Sequence, residues 1–427
     1  MTTIVTCAHT RSALAAVRAL GRHKIPVAVG SSHRPALAQW SSWATSTFLM
    51  PDPHVRPEAF AYELGQQVKG RCASSVWVST DAALYAMSRW REHLPSHIVS
   101  HLPQASAVRC AVDRYFLTQQ AYDLQIPCVP TEKIQASMNI EEVVQLAKQV
   151  GFPLVLIPQS HLTDLSDPHV PRAFHFKDSA ELRKFLGTSK EIVTEAALQP
   201  MLSGISLGYG AVYKHGEPVA EVFQRRGREH EPASQLACYS ETTSPHALVQ
   251  QQARRLLKSL SWHGPVKLEF VQTYEGDLVL ACMLGRLWGS LQLSIHAGVD
   301  VPMIWHRILT RPEDDCELTL GRPDVRMRWI VGEMSHLVDT LTFQWVKQRG
   351  TKGWQKSLEN VAKFLNPKEI RTFGTDVLRM GDPLPFVYEM QKTVRKAIKQ
   401  KADRLIDEAT FVRPLNLPTN LERPLGK

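Results

Sequence analysis

Residues 264–302 read GPVKLEFVQTYEGDLVLACMLGRLWGSLQLSIHAGVDVP. Two runs of apolar and β-branched residues flank Tyr274-Glu275-Gly276-Asp277, the pattern of a β-hairpin. A two-residue loop at Glu275-Gly276 would set its register. That register places Glu269 directly across from Cys282 and Lys267 across from Leu284. Directly opposed side chains share one face of a sheet. One carboxylate, one ammonium, one thiol and one apolar side chain would therefore meet there, just ahead of Arg286-Leu287-Trp288-Gly289-Ser290.

Working back toward the N-terminus, GISLGYGAVYKHGEPVAEVFQRR (204–226) reads as strands around a His215-Gly216 turn. The helix pattern HALVQQQARRLLKSL (246–260) follows it. GFPLVLIP (151–158) is a short buried strand. The amphipathic stretch EEVVQLAKQV (141–150) precedes it and should stop at Gly151. DRYFLTQQAYDLQ (113–125) is helical and ends in IPCVPT. Before Asp113, the runs TIVTC (3–7), IPVAVG (25–30) and SVWVS (75–79) alternate with helical segments, which implies a parallel α/β sheet. Beyond residue 306 the chain reads as mostly helical and basic, most clearly in QKTVRKAIKQKADRLIDEA (391–409).

The bulk properties narrow the class. At 427 residues the chain suits two or three domains. No run approaches the roughly 20 apolar residues of a membrane helix, and the N-terminus reads as strand and helix instead of a signal peptide. The seven cysteines are scattered without a C-x-x-C pair. That argues against a disulfide framework or a zinc site and for a reducing cytoplasm. The net charge of +9 is spread along the chain, so alone it selects no partner.

The ordered set is more specific than any one motif. The Asp113-Arg114 helix, GFPLVLIP, LQPMLSG (198–204), the GYGAVY strand, GPVKLEF and GRLWGSLQLSIHAGVDVP follow one another at spacings that resemble the ATP-grasp superfamily. Within it the likeness is to the branch of the carbamoyl phosphate synthetase large subunit and carboxylate–amine ligases, over about residues 1–305. The resemblance implies an α/β and α+β architecture in three parts. These are a Rossmann-like pre-ATP-grasp domain (1–110), a two-lobed ATP-grasp domain (111–305) and a mainly helical basic extension (306–427). It also implies ATP and magnesium as cofactors and an acyl-phosphate route from a carboxylate to an amide or thioester.

Residue by residue, the resemblance is uneven. Arg114 stands where a cation touches the nucleotide phosphates. Ile157 stands where the family has a second cation, and the loop after it, QSHLTDLSDPHV (159–170), carries Asp164 and Asp167 and no glycine. Gln199 and Gly204 of the hinge are kept, but Pro200 replaces an acidic residue and has no backbone N–H. At the metal site the family has Glu and Asn at the positions of Cys282 and Leu284, which leaves Glu269 as the one oxygen ligand. A thiol is a poor ligand for a hard cation. Arg286 is kept, as a phosphate or substrate contact or as the ion-pair partner of Glu269. Arg225, Arg226 and Arg228 make an anion-receiving or substrate-side stretch.

Ile157, Pro200, Cys282 and Leu284 lie in separate segments yet serve one site. The expectation is therefore a non-catalytic ATP-grasp protein that works through a protein partner, such as an active relative or a pathway enzyme, with no cofactor needed. The alternative is an active ATP- and magnesium-dependent ligase, with Arg286 catalytic and Lys267 or His161 recruited to the site. A third reading gives the basic helix 391–409 an anionic surface, membrane or nucleic acid.

Overall fold

The computed structural model describes residues 2–158, 173–188, 196–229, 237–314, 317–334 and 374–395. The loop 159–170 with His161, Asp164 and Asp167, the Arg228 side chain and most of helix 391–409 lie outside the described residues.

Strands β1 (Thr2–Val5), β2 (Val27–Ser31), β3 (Ser46–Leu49) and β4 (Ala73–Trp77) form a parallel sheet in the order β3-β2-β1-β4. The strand order reverses between β1 and β4. Their C-terminal ends therefore open a crevice of the kind where α/β sheets bind ligands. The helix Arg11–Arg22 packs on this sheet through an alanine- and leucine-rich face, capped by Thr10. The helix Asp81–Arg89 starts at the end of β4, capped by Thr80.

A second, antiparallel sheet has the order β5-β8-β6-β7, built from β5 (Glu132–Lys133), β6 (Leu154–Ile157), β7 (Phe174–Phe176) and β8 (Ala197–Pro200). The helices Ile140–Val150 and Ser179–Thr188 cover it, and their apolar faces form a separate core with Leu154, Leu156 and Phe176. Gly151 ends the first of these helices with φ +94, a backbone conformation glycine adopts without steric cost.

The third sheet is the largest. Its order is β13-β12-β9-β10-β11-β15-β16, with β14 beside β10. Its strands are β9 (Gly204–Lys214), β10 (Glu217–Glu229), β11 (Ala237–Thr242), β12 (Gly264–Thr273), β13 (Leu278–Leu284), β14 (Thr319–Leu320), β15 (Arg326–Arg328) and β16 (Gly374–Thr375). The described residues past 306 thus add three short strands to this sheet besides helix. One face carries the helix Ala247–Ser259 and a polar network centred on the buried Glu221. There Tyr209 Oη donates to Glu221 at 2.6 Å and Arg254 reaches the same carboxylate through two nitrogens.

The hairpin β12–β13 departs from the expected two-residue loop. Thr273 and Asp277 close a turn over Tyr274, Glu275 and Gly276, and Gly276 has φ +99. A three-residue loop alone would shift the register by one. A β-bulge leaves Ala281 without a partner between the pairs Phe270–Leu280 and Glu269–Cys282, and this restores it. Glu269 still faces Cys282 and Lys267 still faces Leu284, by a different route.

The segment 374–395 is docked against the first sheet's helix. Arg18, with no exposure, donates from Nε to Asp382 Oδ2 at 2.8 Å and from Nη1 to the Val377 carbonyl at 2.8 Å. Arg11 pairs with Asp376 at 2.5 Å and lies over the Trp329 ring. No helix among the described residues is long and apolar enough to cross a membrane. The five cysteines whose side chains are described are free.

Candidate functional site

The large sheet's pairing puts Cys282, Glu269, Gly208, Gln224 and Thr242 in one row across β13, β12, β9, β10 and β11. Lys267 and Gly210 lie two residues along on the same face. A Cβ on Gly208 would come 2.9 Å from Lys267 Cε and 2.8 Å from Gln224 Cγ. The missing side chain is what lets both lie flat over β9.

Lys267 Nζ donates to Glu269 Oε1 at 2.9 Å, and Arg226 Nη2 holds Glu269 Oε2. Both oxygens of Glu269 are therefore engaged. Burial would raise the Glu269 carboxyl, yet Arg226 and Lys267 together hold it well below the carboxylate range. Burial lowers the Lys267 ammonium, and Glu269 opposes that shift. Cys282 is buried and Leu284 packs into an apolar cluster. Among the described residues no three His, Cys, Asp or Glu side chains converge to hold a metal ion. The donor set of one carboxylate already shared by two cations, a thiol and a leucine does not fit magnesium, which needs several hard oxygens.

Arg286 pairs with Asp81 and not with Glu269, which corrects the expected partnership. Nε donates to Oδ1 at 2.8 Å and Nη2 to Oδ2 at 3.1 Å. Burial lowers the guanidinium, but Asp81 outweighs it and the net shift is upward. Asp81 sits just after β4, at the crevice where the first sheet reverses, so this pair joins the two sheets. The sequence reading missed Asp81; an acidic residue opening a helix at a strand's C-terminal end is the signal that could have found it. Arg114 is half-buried, and its Nη1 donates to the carbonyl of Ala281, the bulged residue, at 3.3 Å. Burial lowers its pKa, with Asp81 and Glu269 acting against that from a distance.

Two further polar groups were not anticipated. Ser290 Oγ donates to Gln224 Oε1 at 2.7 Å, and Gln224 Nε2 is buried without a partner among the described residues. The arginine stretch divides, because neighbours on a strand face opposite ways. Arg226 joins the site, while Arg225 pairs with Glu241, which also accepts from Tyr239 Oη at 2.6 Å. The remaining expected positions lie on the small sheet. Gln199 is buried and donates to Thr131 Oγ1 at 2.8 Å, Ile157 is half-buried opposite Ala197, and Pro200 pairs with Leu154.

No protein-family model matches the sequence, and no curated protein matches it. Solved structures do match. An N5-carboxyaminoimidazole synthetase from Staphylococcus aureus aligns at 12% identity and TM-score 0.57, over 82% of this chain and 86% of that one. The biotin carboxylase domain of 2-oxoglutarate carboxylase from Hydrogenobacter thermophilus, solved with MgADP and bicarbonate, aligns at 12% and 0.58, over 76% and 73%. An L-amino acid ligase from Bacillus licheniformis aligns at 11% and 0.54, over 73% and 74%. These are ATP-grasp proteins, and the fold of this chain is the ATP-grasp fold.

Proposed function

We propose that this chain is a non-catalytic protein of ATP-grasp fold that acts through a protein partner. The observation that carries the reading is the state of Glu269. The acidic position expected to hold a metal is closed on both oxygens by Lys267 and Arg226, opposite a thiol. In this reading the Rossmann-like unit 1–110 and the ATP-grasp unit 111–305 serve as a scaffold. Arg114, Gln199 and Glu269 are remnants of a nucleotide site, and the basic segment 306–427 adds to the partner surface. The test is release of ADP or phosphate from magnesium-ATP offered with mixed carboxylates and amines. The expected rate is background, equal in the wild type and Glu269→Ala. Turnover that collapses in Glu269→Ala would refute the reading.

A second reading is an ATP- and magnesium-dependent carboxylate–amine or carboxylate–thiol ligase. It is supported by the names of the structural neighbours, which include a synthetase, a carboxylase domain and a ligase. It is also supported by the gathering of Arg114, Arg226, Lys267 and Arg286 near Glu269, since positive side chains stabilise a transferring phosphoryl group. It requires Lys267 to leave Glu269 when substrate binds.

A further inference from the structure

The cation count around Glu269 has an asymmetry among its arginines. Arg286 is satisfied by a bidentate carboxylate. Arg114 is not: among the described residues its one hydrogen bond goes to a neutral carbonyl, and no carboxylate lies within ion-pair distance. Its nearest carboxylates, Asp81 and Glu269, act on it only from a distance and are already paired with Arg286 and with Lys267 and Arg226. Nearby, Lys267 is held as an ammonium against Glu269 in a space that Gly208 leaves open. The same face carries the Gln224 Nε2 donor, on a side chain 4% exposed, with nothing to donate to. An arginine without an ion pair, a pinned ammonium and an unused N–H donor suit an anion with several acceptor oxygens.

We infer that Lys267 supplies as a fixed ammonium the positive charge a divalent ion would bring, so that this face of the large sheet captures a phosphate-type anion without metal, with Arg114 and Gln224 as the other donors. This rests on the non-catalytic reading and names the ligand class of the same site. A phosphate group can accept from all three, because its oxygens point in different directions. A fixed ammonium differs from a bound ion in one measurable way: chelators cannot remove it.

The experiment is calorimetry on the full chain with two probes, ATP and inorganic phosphate, each in EDTA and in excess magnesium. The expected result is binding in EDTA with an affinity within about twofold of that in magnesium. Losing one charge-assisted contact weakens binding by about tenfold or more, so Lys267→Met should show that loss in EDTA. Arg114→Gln should show it too, and it keeps the test decisive if the lysine variant fails to fold, since Arg114 bonds only to a carbonyl. Binding of phosphate as well as ATP would identify a simple phosphate site, and binding of ATP alone a nucleotide site. Binding only with magnesium, no binding of either probe, or variants that bind like the wild type would each overturn the inference. Failure to bind leaves the non-catalytic reading standing. Magnesium-dependent binding with ADP release overturns both.

Discussion

Replacing Arg18 with methionine should release the segment 374–395 from the first sheet's helix. Arg18 is unexposed and Asp382 is 3% exposed. Removing one member of such a buried pair typically costs about 3–5 kcal/mol. The lower figure applies here, because Asp382 keeps the Ser41 hydroxyl at 2.7 Å and the Ser42 amide at 2.9 Å. Those donors, with Arg18, hold its carboxyl below the usual range against burial. A loss of about 3 kcal/mol corresponds to a roughly 150-fold larger equilibrium constant for local opening. Hydrogen exchange of peptides from 374–395 is the assay, since a chain with several cores need not unfold in one step. The helix Ile140–Val150, with its separate core, should keep its protection and serves as the internal control. Unchanged exchange in 374–395, or a change of less than about threefold, would refute the claim that this pair fixes the segment.

Three other outcomes follow from the same contacts. Gly208→Ala should push Lys267 from Glu269 and destabilise by about 1–3 kcal/mol, read as a lower urea midpoint. Burial raises the Glu389 carboxyl to about 7, near Trp329 and Arg11. A carboxyl raised in the folded state contributes stability below its unfolded value that is lost as pH rises through the folded one. Melting temperature should therefore fall between about pH 5 and 8 in the wild type, and Glu389→Gln should flatten that slope. The combined variant Cys282→Glu, Leu284→Asn, Lys267→Met should acquire magnesium-dependent ATP binding; calorimetry with and without EDTA reads it.

The elements near the site were legible because their signals are local. Alternation in GPVKLEF and the Gly-containing turn identified the hairpin, but the loop they implied was one residue too short. The bulge at Ala281 was not legible, since nothing in its side chain distinguishes it from a paired residue. The expected register held because the bulge and the longer loop offset each other. The Arg286 partner was misassigned for a different reason. Asp81 and Arg286 stand 205 residues apart, and only the packing of the first sheet against the third brings them together. The docking of 374–395 was invisible for the same reason, since basic periodicity gives no sign of a distant acidic partner.

That docking bears on how the chain is made. Arg18 leaves the ribosome before its carboxylate partner, which comes 364 residues later. At typical elongation rates the wait is roughly 20 to 70 seconds. Throughout that interval the helix Arg11–Arg22 carries an arginine without the acceptors it has in the folded chain. The first sheet and its helix can form before Asp382 is made, so the seam between Arg11–Arg22 and 374–395 stays open for that interval.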